Sequence, residues 1–119
     1  MENGKMRRIS EMVAQRTLGD GPYGPLAVYS LAKSEALFGT DLKIVDYTVV
    51  EGQTGKYMHI LVSPLEGQGP GGETGNFVVT TGASAVVSKL EMIGKDAFPV
   101  IGAFAKRAGK AGRIWYDIE

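Results

Sequence analysis

The spacing of apolar positions changes along this chain, and each change marks an element. Over residues 5–16, Met6, Ile9, Met12 and Val13 recur at short helical intervals among charged neighbours, which predicts an amphipathic helix. Gly19-Asp20-Gly21-Pro22-Tyr23-Gly24-Pro25 suits neither helix nor strand and reads as a loop. Residues 26–38 read two ways, as a strand over 26–31 or as a helical turn around 34–38. From Asp41 the period shortens. Residues 42–50 are rich in β-branched and aromatic side chains, Gly52-Gln53-Thr54-Gly55 is a turn, and residues 56–65 resume a strand. Residues 66–75 are dominated by glycine and read as a mobile connection, before a third strand over 76–81.

The period then lengthens once. Thr81-Gly82-Ala83-Ser84 is a helix start, Val86, Val87, Leu90 and Ile93 follow at helical spacing, and Gly94 is a stop. Two further strands, over 99–105 and 113–118, are joined through Ala108-Gly109-Lys110-Ala111-Gly112. The expected fold is therefore mainly β with one or two helices. An OB-like five-stranded barrel of order β-β-β-α-β-β spans 41–119 and carries an N-terminal helical and loop extension over 1–40, all in one folded unit. An SH3-like barrel is the nearest competitor, and the helical stretch from Ala83 to Ile93 counts against it.

Composition narrows the chemistry. The 119 residues include no cysteine, which removes disulfides, thiolate metal sites and cysteine nucleophiles together. Thirteen basic residues balance thirteen acidic ones, so a polyanion would have to be held locally rather than gathered by a long-range field. No apolar run has signal-peptide or membrane-spanning length, and the expected location is the cytoplasm.

Certain local features resemble the single-stranded-DNA-binding proteins encoded by tailed bacteriophages. They are Phe77-Val78-Val79-Thr80-Thr81-Gly82 running into the helix of Ser84, Val86, Val87 and Leu90, then Phe98-Pro99-Val100, then Gly112-Arg113-Ile114-Trp115-Tyr116-Asp117. The resemblance covers about two thirds of the chain, from Leu42 to Glu119. It implies an OB fold, the cytoplasm of a host cell, and a role in replication or recombination. The sequence departs from that pattern in its extension to Phe38. It also ends on its last strand, without the acidic tail that bacterial single-stranded-DNA-binding proteins use to recruit partner enzymes.

Sequence-tolerant binding of a single strand needs aromatic faces for bases and cations along the phosphates. Lys106, Arg107, Lys110 and Arg113 fall close together, with no carboxylate among them, beside Trp115 and Tyr116. Alternation assigns Ile114, Tyr116 and Ile118 to the core side of the last strand, and Arg113, Trp115 and Asp117 to the other. Trp115 is the leading stacking candidate. Lys56 with Tyr57, and Lys43 with Tyr47, are further candidates on the first two barrel strands, while Phe77, Phe98 and Phe104 are assigned to the core. The bland alternatives are a core-edge tryptophan, a solvated basic loop and cross-strand tyrosine pairs.

Catalytic readings fail on the residues present. Gly52-Gln53-Thr54-Gly55-Lys56 lacks the phosphate-loop glycine frame and is followed by a strand rather than a helix. His59 is the only histidine, and the carboxylates Asp41, Asp46, Glu51, Glu66 and Glu73 are scattered singly. We therefore expect no enzyme, no metal and no cofactor. The expected partner is single-stranded DNA, with RNA equally compatible, together with a homodimer through the N-terminal segment. The rival reading is a non-catalytic assembly module of a phage or replication complex.

Overall fold

Alternation of apolar and polar residues builds the strands, and one extra residue redirects the longest of them. In the computed structural model, which describes residues 22–52 and 55–119, the strands are β1 (Val28–Ser30), β2 (Asp41–Gly52), β3 (Gly55–Pro64), β4 (Phe77–Thr81), β5 (Val100–Ala108) and β6 (Ile114–Ile118). A single α-helix, α1 (Ser84–Ile93), lies between β4 and β5 among the described residues. The helix predicted over 5–16, the start of the predicted loop at 19–21, and Gln53 and Thr54 of the first hairpin turn lie outside the described residues.

The strands form one curled sheet in the order β1-β4-β3-β2-β5-β6. All neighbours are antiparallel except β1 with β4, which run parallel through Val28↔Val78 and Ser30↔Thr80. From Asp41 the observed order is β-β-β-α-β-β as expected, but the sheet has six strands rather than five. It is a half-barrel in which β6 pairs with β5 alone. Residues 26–38 reconcile their two readings by being both in turn. They supply β1, and then two 3-10 turns, Leu31–Lys33 and Glu35–Leu37.

This segment bridges the open side of the half-barrel. At one end Tyr29 meets the Phe77 ring edge-on at 5.6 Å. At the other, Phe38 stacks on Tyr116 of β6 at 5.8 Å. Leu31 and Leu37 between them are fully buried in the same core as Ile44, Met58, Ile60, Val62, Phe77, Val79, Val86, Leu90 and Phe104. The helix contributes Val86, Val87 and Leu90, the expected periodic set, although Ile93 remains exposed. It starts where the Thr81 hydroxyl accepts the Ala83 N–H, and stops at Gly94, whose φ of 88° favours glycine.

β2 carries a bulge between Ile44 and Asp46, where Val45 has no partner on β3. Before it Leu42 and Ile44 point inward, and after it Tyr47 does, so the inward parity moves from even to odd residues. The glycine-rich connection is not a free tether. The Glu73 carboxylate accepts the Tyr29 hydroxyl and the Gly71 N–H, and the Glu73 carbonyl accepts the Gly69 N–H at 2.8 Å. A side chain at Gly71 would run into the Tyr29 hydroxyl. Among the described residues no helix is long and apolar enough to cross a membrane.

Candidate nucleic-acid interface

Register divides the sheet into an inward face, which is the core, and an outward face. The outward face carries Thr48 on β2, Tyr57, His59 and Leu61 on β3, Val78 and Thr80 on β4, and Arg107, Trp115 and Asp117 on β5 and β6. It is not uniformly open. Val78 and Thr80 are buried, and Tyr23 reaches across to accept a hydrogen bond from Thr48 at 2.9 Å.

The nine candidate residues separate into three situations. The first is the β5–β6 hairpin, which collects Lys106, Arg107, Lys110, Arg113 and Trp115. Its tip is closed by the Gly109 N–H donating to the Arg113 carbonyl at 2.6 Å. Trp115 stands opposite Arg107, is 44% exposed, and lies against Gly109. The hairpin cations are not equivalent. Lys106 is inward in parity, sits 5.3 Å above the Phe38 ring and pairs with Glu35, whose carboxylate raises the lysine's pKa. Arg107 is held by Asp117 at 3.2 Å and by Glu119, and its pKa is raised first by Glu119 and then by Asp117. Lys110 and Arg113, at the tip, are exposed and form no ion pair among the described residues.

The second situation is the far end of the outward face. Tyr57 is 39% exposed opposite Val50, with its hydroxyl 3.4 Å from Thr80, and Lys56 pairs with Glu91 of α1 at 3.4 Å. Register keeps this end apart from the hairpin, because β5 passes the start of β2 at Asp41↔Ala103 and carries Arg107 beyond it. Lys43 is exposed between them, opposite Ser63 and Ile101.

The third situation is a correction. Tyr47 is 7% exposed, its ring meets Phe98 edge-on at 5.5 Å, and Lys95 covers it at 4.4 Å while also donating to the Tyr47 carbonyl. No open face remains on which a base could stack. The bulge is the cause, since unbroken alternation would have placed Tyr47 beside Lys43 on the outward face. The core set of the last strand also needs adjusting. Ile118 is buried and Tyr116 half-buried, but Ile114 is exposed. Phe77 and Phe104 are fully buried, and Phe98 packs partly buried against the core.

Sequence reasoning missed the group that holds the hairpin to the helix. Asp117, only 4% exposed on the outward face, accepts Lys89 of α1 at 2.7 Å as well as Arg107 and the Ile118 N–H. The Lys89 hydrogen bond leads in holding its pKa below the ordinary carboxylate value, against the opposing effect of burial. These partners come from separate parts of the chain, and no local pattern announces them.

His59 has a buried Nδ1 with no hydrogen-bond partner, and burial lowers its pKa from 6.5. Above 6.5 both folded and unfolded chains hold it neutral and it has no effect on pH dependence. As pH falls below 6.5 the unfolded chain takes up a proton that the fold resists, so stability falls. Chemical denaturation across this range is expected to show a declining midpoint for the native protein and a flatter one for His59→Gln. Equal slopes would show that His59 is not the titrating group.

Comparison with protein-family models, curated proteins and solved structures returns no match to this chain.

Proposed function

We propose that the chain is an OB-type barrel that binds single-stranded DNA without strong sequence preference, in replication or recombination of the bacteriophage type. The observation that carries this reading is the β5–β6 hairpin. It presents the chain's one tryptophan, 44% exposed, beside two cations that no carboxylate neutralises among the described residues. A base stacks on the indole while Lys110 and Arg113 follow the backbone phosphates. Tyr57 and Lys43 extend the path along the outward face. Lys106, Arg107 and Lys56 support the scaffold through their carboxylate partners. The mechanism is stoichiometric coating, and no catalytic step is involved.

Titration with oligothymidine tests this directly, because the emission reports on Trp115 alone. Quenching by the single strand and not by duplex is expected. Trp115→Ala should weaken binding by about 5- to 150-fold, the range for one stacked base at roughly 1–3 kcal/mol. With two cations on phosphates, the log-log salt slope should be about −1.4, and each of Lys110→Ala and Arg113→Ala should reduce it by about 0.7. An unquenched tryptophan together with no mobility shift would remove the reading. A second reading, a protein-interaction module, is favoured by one feature. It is an apolar groove of about 320 Å³ between α1 and β5, lined by Leu90, Met92, Ile93, Val100 and Ile101. Salt-insensitive capture of a protein partner would support it.

A further inference from the structure

The free edge of β6 is complementary to itself, and we propose that it pairs antiparallel with β6 of a second copy of this chain, centred on Trp115. This inference does not depend on DNA binding. Hydrogen bonding to β5 uses alternate residues of β6 and its flanks. The Glu119 and Ala103 backbones exchange both bonds, and the Gly109 N–H donates to Arg113. The same alternation turns the N–H and C=O groups of Ile114 and Tyr116 away from β5, onto an edge with no strand partner among the described residues. Unpaired edges of this kind are templates for another chain.

Three registers keep those edge groups facing one another, and only one uses them all. Centring the pair on Tyr116 sets Ile114 against Ile118, whose N–H already donates to Asp117 and whose carbonyl already accepts Lys89. Centring it on Ile114 sends Tyr116 against the hairpin turn at Gly112. Centring it on Trp115 sets Ile114 against Tyr116 in both directions, so that each strand donates both N–H groups to the other.

The side chains agree with this register. On the outward face Arg113 comes opposite the second copy's Asp117, which Lys89 and Arg107 already hold, and diagonal to its exposed Glu119, and the two Trp115 rings meet in the closely spaced type of pair. On the other face Ile114, an apolar side chain 58% exposed in the single chain, comes opposite a Tyr116 ring. The exposed isoleucine thus gains an aromatic partner, and the tip arginine gains a carboxylate, Glu119, that it shares with Arg107.

Sedimentation velocity on the full chain without DNA, over a concentration series reaching about a hundred micromolar, is expected to show the 12.7 kDa species giving way to one of twice that mass. Ile114→Pro removes an edge donor and leaves the β5 ladder intact. It follows Arg113, whose φ of −67° and ψ of 140° suit a residue before proline. This variant should melt like the native chain yet stay monomeric. Because the chain has no cysteine, Trp115→Cys can form a disulfide only with its own copy. Paired Cα atoms about 4.5 Å apart lie within disulfide reach. Copper phenanthroline should convert that variant to a covalent dimer, while Met92→Cys, exposed on α1, stays monomeric. A chain monomeric at every concentration, a dimer that survives Ile114→Pro, or equal cross-linking at 92 and 115 would each overturn the proposal.

Discussion

A fragment comprising residues 41–119 is expected to lose cooperative unfolding altogether, although the sequence reads as a barrel beginning at Asp41. Removing the preceding segment takes Leu31 and Leu37 out of the core, strips Tyr29 from Phe77 and Phe38 from Tyr116, and uncovers the edge of β4. Truncating one buried leucine to alanine costs about 2–5 kcal/mol, and a whole domain is stable by only about 5–15 kcal/mol. Two such losses with the aromatic contacts approach or exceed the total. Circular dichroism melting decides the matter: the full chain should give a sharp transition and the fragment a gradual slope. A fragment that melts sharply within a few degrees of the full chain would show that residues 22–40 are an accessory.

The second large effect separates two tyrosines that look alike in the sequence. Tyr47→Ala should cost about 3–5 kcal/mol, as for other large core truncations, or roughly 12–20 °C in Tm for a domain of this size. Tyr57→Ala should stay within about 1 kcal/mol, the range for half-exposed strand positions. The difference follows from burial. Tyr47 is enclosed by Phe98 and Lys95, whereas Tyr57 gives up one long hydroxyl contact and an edge contact with His59. Paired thermal melts of the two variants check it, and equal losses would contradict the inward placement of Tyr47.

These two tyrosines also show what the sequence makes legible. Alternation along β3 and β6 is unbroken, so the inward set Met58, Ile60 and Val62 and the outward Trp115 follow from counting by two. In β2 the count fails at Val45, because a bulge inserts a residue without requiring any special side chain there. The helix was legible because Val86, Val87 and Leu90 keep their period between the Thr81-Gly82-Ala83-Ser84 start and Gly94. The sixth strand was half legible. A strand over 26–31 is one of the two readings of that segment, but β1 is three residues long and no local pattern points to its parallel partner β4, some fifty residues on. The charge on the hairpin was half legible: the cations are contiguous in sequence, but Glu35, which pairs with Lys106, lies 71 positions away.

The parallel pairing of β1 sets an order of assembly. During synthesis Val28–Ser30 leaves the ribosome long before Val78, Val79 and Thr80 exist, whereas β2 and β3 can join as soon as their hairpin is complete. The first of the described strands to be made thus waits for the fourth. Until it docks, Leu31 and Leu37 have no core to enter, and the nascent chain carries them exposed through most of its synthesis. Local hairpins close early at small entropic cost, whereas β1 has to close a loop of some fifty residues onto β4. Slower translation of residues 30–80 therefore lengthens the time for which Leu31 and Leu37 stand exposed.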